Sequence, residues 1–213
     1  MDGEARAEMR RHLGVEGRDT LVVFVSQPLS RMFGGPGSPA YRGYDEGTAV
    51  ACLLEALETL DAGGAGPYKL VVRPHPKEDP ESISVPASDT VPVEVSKGGG
   101  LGALLHAADV VVGMTSIVLV KAFLTGRPTV SLQPGLRGRD ELMLGRAGHL
   151  DPVTDAGRLP NVLEGVQALS GAGLVGVGES LMDGRSVERV TALCWELLQG
   201  VVEAAPNRLA VGP

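Results

Sequence analysis

The chain reads as an α/β protein, a doubly wound parallel sheet of five or six strands with helices on both faces. Three observations point there. Short runs rich in Val and Leu, at residues 21–26, 68–73 and 109–112, look like strands, and the β-branched run at 109–112 looks like a parallel strand buried on both sides. Segments with helical apolar spacing alternate with them. The composition is 43% hydrophobic but only 3% aromatic, so the core is built from Val, Leu and Ala, which suits helices packed on a sheet.

Residues 5–13 have the charge of a short exposed helix, and 14–19 make a polar turn into the first strand, LVVFVS at 21–26. Gln27-Pro28 ends it. Residues 29–44 read as an irregular loop, with Gly34, Gly35, Gly37, Gly43 and two prolines. A long insertion after a strand serves a binding site or is simply mobile. Asp45 opens a helix to residue 60, with Ala49, Leu53, Leu57 and Leu60 inward. After a turn at 62–67, the strand 68–73 runs into Pro74-His75-Pro76, where two prolines stiffen the backbone around one imidazole. In the polar loop that follows, Glu78, Asp79 and Glu81 read as a solvated acidic run. A short strand at 91–95 and a helix at 101–107 come next.

The stretch 108–133, ADVVVGMTSIVLVKAFLTGRPTVSLQ, is a complete βαβ unit. Residues 109–112 are strand and Gly113 ends it. Thr115 or Ser116 caps a helix of about ten residues by accepting a hydrogen bond from its free first-turn N–H groups. Gly126, Arg127 and Pro128 stop that helix before a strand at 129–132. Beyond it lie a loop with Arg137 and Arg139, a helical turn at 141–146 and a weak strand at 150–153. A helix opened by Asn161 runs to 169, followed by a Gly-rich segment at 171–178. Asp183-Gly184-Arg185-Ser186 caps a last amphipathic helix, 187–202, with Val190, Leu193, Cys194, Leu197 and Leu198 inward.

A length of 213 residues suits one well-buried domain and is short for two. The expected division is a leading helix or linker at 1–18, the domain at 19–203 and a tail at 204–213. The net charge of −7 and pI near 5.1 argue against general affinity for nucleic acid or anionic membrane. No run approaches the roughly 20 apolar residues of a membrane span, and the charged start MDGEARAEMRRHLG is no signal peptide. Cys52 and Cys194 sit in apolar helical patterns without metal-ligand spacing and read as reduced core residues. A cytoplasmic location is expected.

Three distant pieces fall at the carboxyl ends of strands: Ser26-Gln27-Pro28, Arg73-Pro74-His75-Pro76 and Met114-Thr115-Ser116. In an open α/β sheet that edge holds the ligand. A guanidinium fork, an imidazole, two hydroxyls and a helix N-terminus suit a phosphate or diphosphate. Gln27, Arg73, His75, Met114, Thr115 and Ser116 are therefore the expected phosphate-binding residues. The plainer alternatives are that Thr115 and Ser116 only cap the helix and that His75 only caps loop backbone. No carboxylate pair stands out as acid and base, so no catalytic residue is assigned. No metal or cofactor is expected.

The same residues carry a resemblance. RPHP after a strand, ADVVVG-x-TS-x4-KAFLTGRPTVSLQPG, and DGRS before the last helix together resemble the C-terminal, donor-binding half of GT-B glycosyltransferases. Bacterial sialyl-, Kdo- and polyglycerolphosphate transferases carry a similar His-Pro element and Ser/Thr-rich helix start. The fold of UDP-N-acetylglucosamine 2-epimerases is also similar. The resemblance covers residues 19–203 and implies a Rossmann-like half of a GT-B fold. It further implies that His75, Thr115 and Ser116 contact the phosphates of a nucleotide-sugar; Arg73 and Gln27 join them only by proximity. Lys121 departs from the pattern, standing where similar sequences often have a glutamate that contacts ribose or base. The half that binds the acceptor and usually holds the general base is not among these residues. The expectation is thus a nucleotide-sugar-binding domain that transfers nothing alone and works with an acceptor domain or partner chain. The alternatives are a non-catalytic nucleotide-binding or assembly module and an epimerase-like enzyme.

Overall fold

The computed structural model describes residues 3–81, 83–96, 98–168 and Thr191. Within them the chain runs α1 (Gly3–His12), β1 (Thr20–Val25), α2 (Leu29–Phe33), α3 (Glu46–Ala62), β2 (Tyr68–Arg73) and β3 (Val93–Val95). It continues through α4 (Leu101–Ala107), β4 (Val110–Gly113), α5 (Ile117–Leu124), β5 (Thr129–Leu132), α6 (Met143–Arg146), β6 (Pro152–Val153) and α7 (Leu159–Ala168). The strands form one six-stranded sheet in the order β3-β2-β1-β4-β5-β6, every pair parallel. This is the doubly wound α/β class that the sequence predicts. The segment 169–213, which carries the expected Gly-rich stretch, the last helix and the tail, lies outside the described residues apart from Thr191.

Alternation along each strand builds two cores. Val22, Phe24, Leu70, Val72, Val110, Val112, Val130 and Leu132 face α3 and α7. Leu21, Val23, Val25, Val71 and Val111 face the opposite way, toward α4 and α5. A sheet covered on both faces explains why its central strands β1 and β4 show no polar alternation.

Local rules place most boundaries. Asp45 Oδ1 accepts from Thr48 N–H at 2.8 Å and caps α3. Elsewhere the structure differs from the sequence reading. Residues 29–44 are not all loop, since Leu29–Phe33 is a short helix, fastened to α3 where Ser30 donates to Glu46 from both its N–H and its hydroxyl. Asn161 is no cap: α7 begins two residues earlier, continuing a 3-10 turn whose cap is Asp155. Cys52 is half-buried on α3 rather than deep in the core, a free thiol whose pKa burial raises.

α1 buries none of its own residues and is held by charge. Arg6 and Arg10 reach Asp109, just ahead of β4, at 2.6 and 2.7 Å, and the same carboxylate accepts from Leu21 N–H of β1 at 2.8 Å. The leading helix is thereby tied to the amino edge of the sheet, opposite the edge where ligands bind.

Candidate functional site

From β1 the chain moves to β2 by way of α3 on one face, and from β4 to β5 by way of α5 on the other. The connections diverge between β1 and β4. That divergence is the topological switch point, and it opens a crevice at the carboxyl ends of these two strands. Val25 and Gly113 are partners there. A Cβ on Gly113 would lie 2.5 Å from a Val25 methyl and 3.1 Å from the Val25 carbonyl, so only glycine lets the two strand ends and the start of α5 come this close.

Immediately past these ends, Gln27 meets Thr115. Gln27 Oε1 accepts from Thr115 N–H at 2.8 Å, with the Thr115 hydroxyl at 3.4 Å. Ser116 caps α5, its Oγ accepting from Val118 N–H at 3.1 Å, and is 7% exposed. The cap leaves the positive end of the eight-residue α5 directed at the crevice. Met114 differs in kind. Its side chain is fully buried in the α3-side core, and its carbonyl accepts from Ser131 Oγ at 2.9 Å, so it brings no side-chain atom to the crevice. Next to the cap, Ile117 is 70% exposed.

The residues after β2 divide. His75 is fastened by its own loop: its N–H donates to Glu78 Oε2 at 2.6 Å, and its Nδ1 accepts from Lys77 N–H at 3.1 Å. An accepting Nδ1 puts the proton of the neutral ring on Nε2, which leaves that nitrogen as a donor. Glu78 Oε1 accepts in turn from Ser26 Oγ at 2.9 Å, linking the histidine loop to the end of β1. Glu78 is therefore not part of a solvated acidic run. A carboxylate three residues after the group it receives is the capping-box spacing, a signal that His75-x-x-Glu78 carries in the sequence. Arg73 goes the other way: its guanidinium donates to Ser96 Oγ at 3.1 Å and to the carbonyls of Gly98 and Gly99, beyond the outer strand β3. The structure brings Gln27, Thr115 and Ser116 together, ties His75 to β1 through Glu78 and Ser26, and turns Arg73 outward.

A buried polar chain, with no signal in the sequence, supports the crevice from the β5 side. Tyr44 OH donates to Gln133 Oε1 at 3.1 Å. Gln133 Nε2 donates to Ser131 Oγ at 2.9 Å and to Asp140 Oδ1 at 2.7 Å, and Ser131 reaches the Met114 carbonyl. Gln133 is 0% and Tyr44 1% exposed. The loop 34–44 is thus anchored across the sheet edge. Arg137 N–H donates to the Arg42 carbonyl at 2.7 Å, and a Cβ on Gly43, at φ 95°, would overlap the Gly135 carbonyl. Arg137 and Arg139 are exposed; Arg137 lies over the Tyr41 ring, while the Arg139 carbonyl accepts from Arg42.

Burial raises the Tyr44 pKa from 10.0 to about 12. A phenol whose folded pKa lies above its unfolded value stabilises the fold fully below pH 10, and that contribution is lost as pH rises toward 12. Absorbance titration at the tyrosinate band should show one tyrosine ionising last, together with alkaline unfolding. Tyr44→Phe should remove that late component.

No family model and no curated protein matches the chain. Solved structures do. The wall teichoic acid polymerase TagF is similar with a TM-score of 0.53 and 14% identity, over 92% of this chain and 48% of that one. The ADP-heptose lps heptosyltransferase II of E. coli is similar with a TM-score of 0.52 and 11% identity, over 81% of this chain and 54% of that one. The fold is Rossmann-like and matches that of GT-B glycosyltransferases. The chain spans about half the length of these solved structures.

Among the described residues, no group of three or more His, Cys, Asp or Glu side chains is placed to hold a metal ion, and no helix is long and apolar enough to cross a membrane. The crevice gathers the Thr115 hydroxyl and the capped N-terminus of α5, the Thr115 amide being taken up by Gln27 Oε1, with the His75 loop tied to its β1 side.

Proposed function

We propose that the chain binds a nucleotide-sugar, holding its phosphates in the crevice between β1 and β4. The observation that carries this reading is the capped α5 N-terminus set against Gln27 at the switch point of a sheet matching GT-B glycosyltransferases. In this reading a phosphate oxygen takes the Thr115 N–H that Gln27 Oε1 now occupies, Gln27 and Ser116 line its path, and His75 donates from Nε2. Met114 contributes backbone alone, and Arg73 braces the loop after β3. These residues hold a donor; the acceptor and the general base come from a second domain or partner chain. The chain alone therefore transfers no sugar, since transfer needs both groups beside the donor.

A thermal-shift panel of CMP, CDP, UDP and GDP conjugates tests the reading. A ligand at 100 times its Kd adds about 2.7 kcal/mol of stability, so at least one conjugate should raise Tm by several degrees. No shift with any of them would contradict it. By calorimetry His75→Ala should weaken the best conjugate by roughly 10- to 150-fold, the loss of a hydrogen bond to a charged group, with little effect on folding. Ser116→Ala should weaken binding less and cost about 1 kcal/mol of stability through the lost cap.

A further inference from the structure

A cavity of about 500 Å³ lies beside the crevice rather than in it. It opens on the α3 face at the carboxyl ends of β1 and β2, walled by α2, the first turn of α3 and residues 77–79, 83 and 84. Its volume falls within the roughly 300–1,000 Å³ of small-molecule sites. Phe24, Val50, Val72 and Ile83 give it an apolar floor. The polar lining is of mixed kind, with the hydroxyls of Ser26, Ser30 and Ser84, the carboxylates of Glu46 and Glu78, and the cations Arg31 and Lys77.

Several of these groups are already oriented. Glu46 accepts from Ser30 N–H at 2.9 Å and from the Ser30 hydroxyl, while Glu78 accepts from Ser26 Oγ and His75 N–H. A carboxylate has about four lone-pair sites, so each keeps acceptor capacity toward the cavity. With Asp45 and Asp79 added, four carboxylates line the space against two cations. An anion is repelled by that excess, and a simple cation meets Arg31, Lys77 and an apolar floor. A hydroxyl both donates and accepts, so it satisfies carboxylates, cations and serines alike, and the carbon face of a ring covers the floor.

We propose that this cavity is a second binding site, for a neutral polyhydroxylated ligand such as a sugar or short polyol, separate from the phosphate-binding crevice. The proposal stands whether or not a nucleotide binds at β1–β4. The test is an NMR titration of the whole chain with methyl glucoside, alongside glucosamine as the cationic and glucose 6-phosphate as the anionic probe. Methyl glucoside should give saturable amide shifts at Ser26, Ser30, Gly47 and Ser84, tighter than either charged probe and unchanged by inorganic pyrophosphate. Ser84 is exposed on the cavity wall, so Ser84→Trp should leave Tm unchanged while abolishing those shifts. Glu46→Gln should weaken binding about tenfold. Non-saturable shifts, tighter binding of a charged probe, displacement by pyrophosphate, or full binding in Ser84→Trp would each overturn the proposal.

Discussion

Replacing Gln133 with leucine should cost about 3–5 kcal/mol of folding stability. The side chain is fully buried and serves three partners at once: it accepts from Tyr44 OH and donates to Ser131 Oγ and Asp140 Oδ1. Leucine has nearly the same volume, so the loss comes from polarity and not from a cavity. Each buried group left without its partner costs about 1–3 kcal/mol, and Asp140 Oδ2 already lacks one. Tyr44→Phe removes one hydrogen bond only and should cost about 1 kcal/mol. Urea denaturation of both variants separates the cases: a loss below 1 kcal/mol in Gln133→Leu would show that the chain Tyr44–Gln133–Asp140 does not hold the loop 34–44. Because Ser131 also orients the Met114 carbonyl, this variant should also weaken the nucleotide binding proposed for the crevice.

Asp109→Ala should cost about 2–4 kcal/mol. One carboxylate, 28% exposed, receives Arg6, Arg10 and the Leu21 N–H, so its removal strips α1 of its anchor and β1 of a backbone partner together. Full burial would make the loss larger, and free exposure would reduce it to the fraction of a kcal/mol typical of surface pairs. Asp109→Asn keeps an acceptor for Leu21 but lacks the charge, and should fall between. Hydrogen exchange gives the sharper reading: in Asp109→Ala the amides of α1 should exchange near the unfolded rate while those of β2 stay protected. Protected α1 amides in that variant would mean that Met9 and Leu13 hold the helix by packing alone.

How much of this was legible follows from where each decision is made. The unit β4–α5–β5 obeys local rules throughout, with β-branched residues at 110–112, the Ser116 cap and Pro128 as a stop, so its elements stand in the sequence. The sheet class was legible for the same reason. α2 was not, because five residues after a proline, with no side-chain cap, owe their helix to Ser30–Glu46 contacts made 16 residues away. α7 begins ahead of Asn161 because Asp155, and not the asparagine, starts the turn. In the candidate site, Thr115, Ser116 and Gln27 could be placed from strand ends and switch-point logic. Arg73 could not, since its direction depends on the loop after β3. The bond between Tyr44 and Gln133 spans 89 residues and joins two loops with no shared motif.

The claim on which the reading of the crevice rests is that the Thr115 amide exchanges Gln27 for a phosphate oxygen. An amide-resolved NMR titration of the chain with CDP and UDP conjugates reads it directly. The account predicts a saturable downfield shift of Thr115 N–H, with Ser116 and Ile117 moving in step and the Gln27 side-chain amide shifting as its carbonyl is released. Saturable binding that leaves Thr115 through Ile117 unmoved would contradict it and would leave Ser116 as a helix cap alone.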